Sequence, residues 1–521
     1  MNQKCCLTII LWVALTATSW GASSLITYDW PTAEGEGVLS DKYLVTISNG
    51  NETKAVEVLM SESWDEAGGG PDVFRSRTFS WAAFSSSFSL PITVTVSKLF
   101  GEGATGVEVF PSGYEIESTL DETGQTVSFR LQQSRYVSVN FKTADNLHAQ
   151  EDVIKHMLMI FADEEEEATM DPTAEDVLVF DATTTQAQLD LATKVYFAPG
   201  YYDLLAQLGN GIIEARSNQT YYVSGGAFIS GKFHGTGLDN VKIHGRGVVS
   251  GRAWDWVPGL PIAALIELGG SRIVVDGIIA ADNDMHGIVP GHDAVIKNVK
   301  LWGWHYNNDG FRPWGGRVEH CFVRPTDDAF YVGGQPLIVT DTVVWQSFNG
   351  AVVTCGWGSA TNPYNTRDFK MIDSHIIYPE WQGIGNNNVI LASQLPYSAT
   401  SQDIEFRNVR VDGNVTAITN LKRNESQART GTPGGISNVV FKNLWISGRQ
   451  QTYNFDRTVI APSRSLIRGD EGFRIENVRF EDVFVSGGWL TELNAAAHFD
   501  IDVNTTSGVE FIYTHEPVVA P

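Results

Sequence analysis

The chain has 521 residues, 43% hydrophobic and 19% charged, with 50 Gly, 15 Trp and a net charge of −25. That length is enough for two domains, or for one large domain with an appendage. The acidic balance excludes nucleic acid and anionic membrane as partners, and it disfavours strongly acidic polysaccharides unless a local basic groove receives them.

The chain opens with "MNQKCCLTIILWVALTATSWGA": one Lys, an apolar run from about Cys5 to Ala17, then small residues at Ser19, Gly21 and Ala22. This pattern predicts a secretory signal over residues 1–22, and hence a secreted, extracellular protein. No later segment stays apolar for the ~18 residues that a membrane span needs. Asn-x-Ser/Thr sequons at Asn51, Asn218, Asn414, Asn424 and Asn504 are glycosylation candidates in a eukaryotic source. With Cys5 and Cys6 in the signal, Cys321 and Cys355 remain, either paired or simply buried. Neither lies in a Cys-x-x-Cys metal cluster.

From about Ser24 to Phe161, short alternating or β-branched runs recur between Gly, Asp, Asn and Ser: "KYLVTISN", "PITVTVSKLF", "TVSFRLQQ" and "YVSVNFK". They predict an N-terminal β-sandwich. "ADEEEEATMDPTAED" then reads as a solvated linker, which closes a first domain over 23–170.

The remainder, 171–521, changes character. Units such as "VKIHGRGVVSG", "VIKNVKLWGWH", "IVTDTVVWQSF" and "VRFEDVFVSG" each read as strand, polar corner, strand. The corners Asp276, Asn298, Cys321, Asp341, Asp373, Asn408, Asn443 and Asp482 are separated by 22, 23, 20, 32, 35, 35 and 39 residues. A base period near 22 with later insertions is the mark of a solenoid. The fold class is therefore all-β, with a right-handed parallel β-helix following the sandwich. A propeller, with its period of ~40, does not fit the shorter intervals.

Within "HYNNDGFRPWGGRVEHCFVRPTDDAFYV", Asp309 precedes Asp327 and Asp328 by one coil of such a helix. Residues one coil apart stack on one face, on strands ~4.8 Å apart. Three acids therefore converge, and Asn349 of "WQSFNGAVV" joins them from the next rung. Clustered carboxylates raise one another's pKa, which suits a general acid. Isolated corner Asp residues such as Asp341 and Asp373 read instead as caps. Hydrolysis of a glycosidic bond needs one carboxyl to protonate the leaving oxygen and another to activate water or attack the sugar. Both members of the adjacent pair reach the groove only if the chain bends there. Such a bend is expected to aim Asp327 away from the other two and leave a gap for water. Asn308, Trp304, Tyr306, Trp314, Asn349 and Trp357 are the candidate substrate-binding residues, with the caution that many of the aromatics nearby, among them Trp302, Trp345 and Trp381, belong to the core. His286, His292 and His305 are close enough to matter but read first as structural. No metal site and no cofactor is expected.

With these residues in view, the chain resembles family 49 of the glycoside hydrolases, the dextranase and isopullulanase family, and more distantly the family 28 polygalacturonases. The matches are "VYFAPGYY", "IHGRGVVSGRAWDW", "NNDGF", "PTDDAFYV" and "VWQSFNGAVVTCGW". The resemblance runs from Leu25 to roughly Val485, but only 307–357 is specific. It implies a sandwich followed by a β-helix and an inverting hydrolysis, with Asp327 as general acid and Asp309 and Asp328 positioning the water. The sequence departs from the pattern in three places. Asn-Asn precedes the first acid where the dextranases have Gln-Thr. "FNGA" replaces the polygalacturonase Gly-His-Gly. The Arg-x-Lys that receives a galacturonate is missing. The expected substrate is thus a polysaccharide, best a neutral α-glucan, acted on by a monomer. The alternatives are a polygalacturonase-like pectin hydrolase, a polysaccharide lyase with calcium held by the acids, and a β-helix that binds glycans without cutting them.

Overall fold

The computed structural model describes residues 24–31, 38–63, 77–148, 153–254, 262–334, 336–356, 364–383, 385 and 387–514. The expected signal segment and Trp357 lie outside them. Among the described residues no helix is long and apolar enough to cross a membrane.

Between Leu25 and Glu164 the strands form two main sheets. One orders Val38–Leu39, Val58–Glu62, Thr78–Ser86, His156–Glu164, Arg135–Phe141 and Val107–Phe110; the other orders Thr53–Val56, Tyr43–Ser48, Ile92–Lys98, Thr126–Leu131 and Ser118–Leu120. Tyr43–Ser48 and Ile92–Lys98 alternate between buried and more exposed positions, as strands with one covered face do. Their inward residues Val45, Ile47, Ile92, Val94 and Val96 meet Val137, Val139, Leu158 and Ile160 of the other sheet in one apolar cluster. Thr78–Ser86 is buried along its whole length, and His156–Glu164 nearly so. A strand covered on both faces has no exposed side to alternate with. The second cover is the C-terminal half of the chain.

From Val177 to Ile512 the coils stack through parallel strands, each coil hydrogen-bonded to the next, with antiparallel pairs only at Gln451–Tyr453 with Val459–Pro462 and at Phe484–Val485 with Gly488–Trp489 among the described residues. The register carries one inward column through Ile296, Val318, Val339, Met371, Phe406, Phe441, Phe480 and Phe511. Its last rings stack with centroids 5.0 to 5.1 Å apart. The insertions that lengthen the later repeats therefore leave this column in register.

The corners turn through residues in the left-handed region: Asn298, His320, Asp341, Asp373, Asn408, Asn443 and Asp482. Asn and Asp enter that region more readily than most side chains. Their side chains also link coil to coil: Asn298 donates to Asp276 at 3.0 Å, Asn408 to Asp373 at 2.8 Å and Asn443 to Asn408 at 3.0 Å. The sequence markers are off by one residue at two coils. Gly277 and His320 make those turns in place of Asp276 and Cys321, and Cys321 faces the core. Cys321 and Cys355 are both free and buried, so they are not paired.

A second column of strands includes Ile279–Asn283, Lys300–Gly303, Phe322–Arg324 and Val343–Phe348. Their outward residues Trp302, Phe322 and Trp345 join Phe79, Trp81 and Phe161 of the N-terminal sheet in a second cluster. Trp302 lies 4.6 Å from Trp81 and 4.8 Å from Phe79 between ring centroids. Two buried ion pairs cross the same boundary, Arg77–Glu380 at 2.8 Å and Lys300–Asp163 at 2.6 Å. A third column runs through His286–His292, Phe311, Phe330–Val332, Val353–Cys355 and Leu391–Leu395. The three acids stand where the chain passes from the second column to the third.

Candidate active site

Asp309 is placed by its neighbours. After the strand Lys300–Gly303 the chain turns at Tyr306 and Asn307, the latter left-handed. The Asn308 amide then donates to the carbonyls of Asn283 at 2.8 Å and Met285 at 2.7 Å, which ties the loop to the preceding coil. Gly303 leaves room for that amide, since a Cβ there would collide with it. Two residues after Asp309, Phe311 bridges Ile288 on one side and Phe330 on the other. This register stacks Asp309 between His286 and Asp328.

The adjacent pair sits in a bend at Thr326 and Asp327, as the presence of both side chains in one groove requires. Both backbone N–H groups of the bend point at the Asn308 carbonyl, 3.2 and 3.3 Å away. Gln346 donates to the carbonyls of Asp327 and Asn349, each at 2.8 Å. Gly350, at φ +79°, passes directly beneath the pair, and a Cβ there would strike the backbone of Asp327 and Asp328. The Gly350 carbonyl in turn accepts from Trp381 Nε1 at 2.7 Å.

One oxygen from each of Asp309, Asp327 and Asp328 lies within 4.8 Å of the others. Asp309 and Asp328 are buried, and Asp327 is the more exposed of the three. Asp328 Oδ1 accepts from the Ala351 N–H and the Thr354 hydroxyl, both at 2.7 Å. Asp327 Oδ2 accepts from the Asn349 amide at 3.0 Å. Asp309 Oδ2 faces Arg312 Nη1 at 3.1 Å and His286 Nδ1 at 3.4 Å. Burial pushes all three carboxyls up: Asp309 well above the ordinary range, Asp327 to about 8 and Asp328 to about 6. For Asp309 and Asp327 the neighbouring carboxylates add to the rise; at Asp328 the Ala351 and Thr354 donors oppose it. Oxygen ligands in this arrangement suit a hard divalent cation, but the guanidinium of Arg312 stands among them and competes for the same place.

The other expected site residues divide. Asn349 does reach the acids, through its bond to Asp327. Tyr306 is half-buried against Phe348, with ring centroids 5.2 Å apart. Trp314 is half-buried and lines a cavity of about 310 Å³ beside the acids, together with Glu267, His286, Arg312, Tyr331 and Tyr364. Two expectations are corrected. Trp304 is not a sugar platform: it is buried in the cluster beneath the N-terminal sheet and donates from Nε1 to Ser61 at 2.7 Å. Asn308 is not presented to a ligand either: it is 1% exposed and its amide bonds backbone carbonyls. Trp357 cannot be placed, since it lies outside the described residues. Sequence reasoning missed Arg312, Thr354, Gln346 and Gly350, and it placed His286 near the acids but read it first as structural. Arg312 alone carried a usable signal, as a cation three residues after the first acid in "NNDGFRP".

No family model matches the chain. It is similar to a dextranase of Arthrobacter globiformis, 21% identical over 484 residues that cover 76% of this chain and 74% of that protein. It is also similar to a dextranase of Arthrobacter sp. strain CB-8, 20% identical over 412 residues, covering 64% and 62%. Among solved structures, Dex49A from Penicillium minioluteum superposes with a TM-score of 0.72 at 16% identity, covering 94% of this chain and 96% of that one. The resemblance to glycoside hydrolase family 49 thus holds both in distant sequence similarity and in fold.

Proposed function

We propose that this dextranase-like glycoside hydrolase cleaves the O-glycosidic bonds of a neutral α-glucan outside the cell, with Asp327 as general acid and Asp309 and Asp328 orienting the attacking water. The observation that carries the reading is the convergence of the three carboxyls within 4.8 Å, with Asp327 held up to about 8. A carboxyl in that range keeps its proton at neutral pH and can deliver it to the leaving oxygen. As the bond from the anomeric carbon to that oxygen breaks, a water attacks the same carbon and passes its proton to Asp309 or Asp328. Trp314, Tyr331 and Tyr364 in the adjoining cavity offer flat faces for the sugar rings.

Inversion rests on the resemblance and not on the separation of the acids. Inverting pairs stand ~6.5–9.5 Å apart and retaining pairs ~5–5.5 Å. The 4.8 Å here is a bound on the nearest oxygens, not the separation of the carboxyl groups that divides the two classes. The bend turns Asp327 toward the other two.

A lyase or a pectin hydrolase needs a cation to receive a uronate carboxylate. The cation at the acids, Arg312, is engaged by Asp309 at 3.1 Å and by His286 at 2.6 Å. The same cavity also holds Glu267. Both features favour a neutral sugar. The secretory signal, glycans on the exposed Asn51, Asn218 and Asn504, a monomeric state, and division into an N-terminal β-sandwich and a right-handed β-helix belong to the same reading. The test is a panel of dextran, other α-glucans and polygalacturonate assayed for new reducing ends. The reading expects release from a neutral α-glucan; a preference for polygalacturonate overturns it.

A further inference from the structure

Three carboxyls this close do not all ionise at neutral pH, so the cluster retains a proton. Which carboxyl keeps it depends on the donors each one faces. Asp328 has two short ones, the Ala351 N–H and the Thr354 hydroxyl. Asp327 has the neutral amide of Asn349. Asp309 is faced by Asp327 and Asp328 from the following coil, by Arg312 from its own loop and by His286 from the preceding coil.

The state of His286 follows from Arg312. A guanidinium is an obligate donor, and Arg312 Nη1 lies 2.6 Å from His286 Nε2. His286 Nε2 must therefore be an unprotonated acceptor, and the ring's one proton is on Nδ1, the nitrogen that faces Asp309 Oδ2 at 3.4 Å. Burial and Arg312 both hold the ring neutral, down to about 3. Asp309 Oδ2 is thus paired with a permanently charged guanidinium at 3.1 Å and lies 3.4 Å from Nδ1 of a neutral ring, which makes no hydrogen bond to it. The Tyr331 ring, 4.4 Å from the guanidinium, backs Arg312 from the cavity side. Burial and the two other acids work to protonate Asp309. The Arg312 guanidinium works the other way, most directly on Asp309, which it contacts at 3.1 Å, and from farther off on Asp327 and Asp328.

We propose that Arg312 and His286 are positioning residues that keep Asp309 ionised as a water-orienting carboxylate and so leave the cluster's proton on Asp327. The inference rests on the glycoside hydrolase reading for its consequence, but not for its geometry. Removing the positive charge raises the pKa of Asp309, so the acidic limb of kcat/KM on dextran should move up in Arg312→Gln by about 1–3 pH units, the shift an opposite charge at this range produces. kcat should fall while KM changes little, and Arg312→Lys should bring the limb back to within about half a unit of wild type on the same ground. An unmoved limb in Arg312→Gln, or a lysine variant no better than the glutamine one, overturns the proposal. A second measurement is independent of turnover. In protein labelled with nitrogen-15 at histidine, the signals lost in His286→Gln identify this ring. It should show a protonated Nδ1 and a bare Nε2 and stay neutral at pH 5. A ring that titrates near the ordinary histidine value of ~6.5 overturns the proposal even if wild type cleaves no glucan, whereas failure on every glucan with the neutral ring in place counts against the hydrolase reading alone.

Discussion

At Asp327 the requirements of stability and of chemistry oppose each other. Its folded-state carboxyl is raised to about 8 from an ordinary 3.8. The stability it contributes is therefore fully present below about pH 4 and is lost as pH rises toward 8. Asp327→Asn removes that titration. The variant should melt higher than wild type at pH 8, with the two converging toward pH 4, as read by calorimetry across that range. It should also lose about 10²–10⁴-fold in turnover, the usual contribution of a general acid. A variant that melts lower than wild type at pH 8, or that keeps near-normal activity, contradicts the assignment. Removing a charge at a purely structural Asp cap would instead cost stability and spare turnover.

The turns around the acids do as much for the site as the acids themselves. Gly350 combines a left-handed backbone with direct contact on the Asp327–Asp328 backbone. Gly350→Ala costs about 1–2 kcal/mol from the backbone alone, and the collision adds to it. Denaturant unfolding should show that loss, and turnover should fall further because the pair is displaced. Wild-type stability and rate in Gly350→Ala would show that the close approach is dispensable.

These turns also show where the sequence was legible. Asp309 and Asp328 could be stacked from spacing alone, because parallel coils of similar length keep one register. Asn349 followed by the same step. Trp304 and Asn308 could not be judged that way. Whether a side chain near the acids faces the groove or the interior depends on what covers the second column of strands, and the cover comes from Phe79, Trp81 and Phe161, more than a hundred residues away. His286 was read first as structural for a related reason: its contact with Arg312, which reaches it across a coil, could not be seen from spacing.

Across the whole molecule, the N-terminal sheets are fastened to the solenoid by packing and by buried charge. Arg77, whose side chain is 0% exposed, bonds Glu380 through both carboxylate oxygens at 2.8 and 3.0 Å and the Ile154 carbonyl at 2.8 Å. Removing one partner of such a pair strands the other charge in the interior, at a cost of about 3–5 kcal/mol. Arg77→Ala should show that loss as a lower denaturant midpoint. The double replacement Arg77→Leu with Glu380→Leu should recover much of it, because no bare charge remains. If the single variant unfolds like wild type, the Arg77–Glu380 pair adds nothing to the junction.

The fastening matters for function because Ser61 of the N-terminal sheet accepts from Trp304 and donates to Asp282, both at 2.7 Å, one coil from the acids. The groove is thus framed by both halves of the chain. The central claim is that this groove hydrolyses a neutral α-glucan with Asp327 as acid and a water held by Asp309 and Asp328. Proton NMR of dextran during the first minutes of cleavage tests it most directly. The account predicts that new reducing ends appear first as the β anomer, opposite to the substrate's α linkage, and equilibrate afterwards. Ends that appear first as the α anomer would make one of these carboxylates a nucleophile, and no new ends from dextran or any other α-glucan would contradict the account altogether.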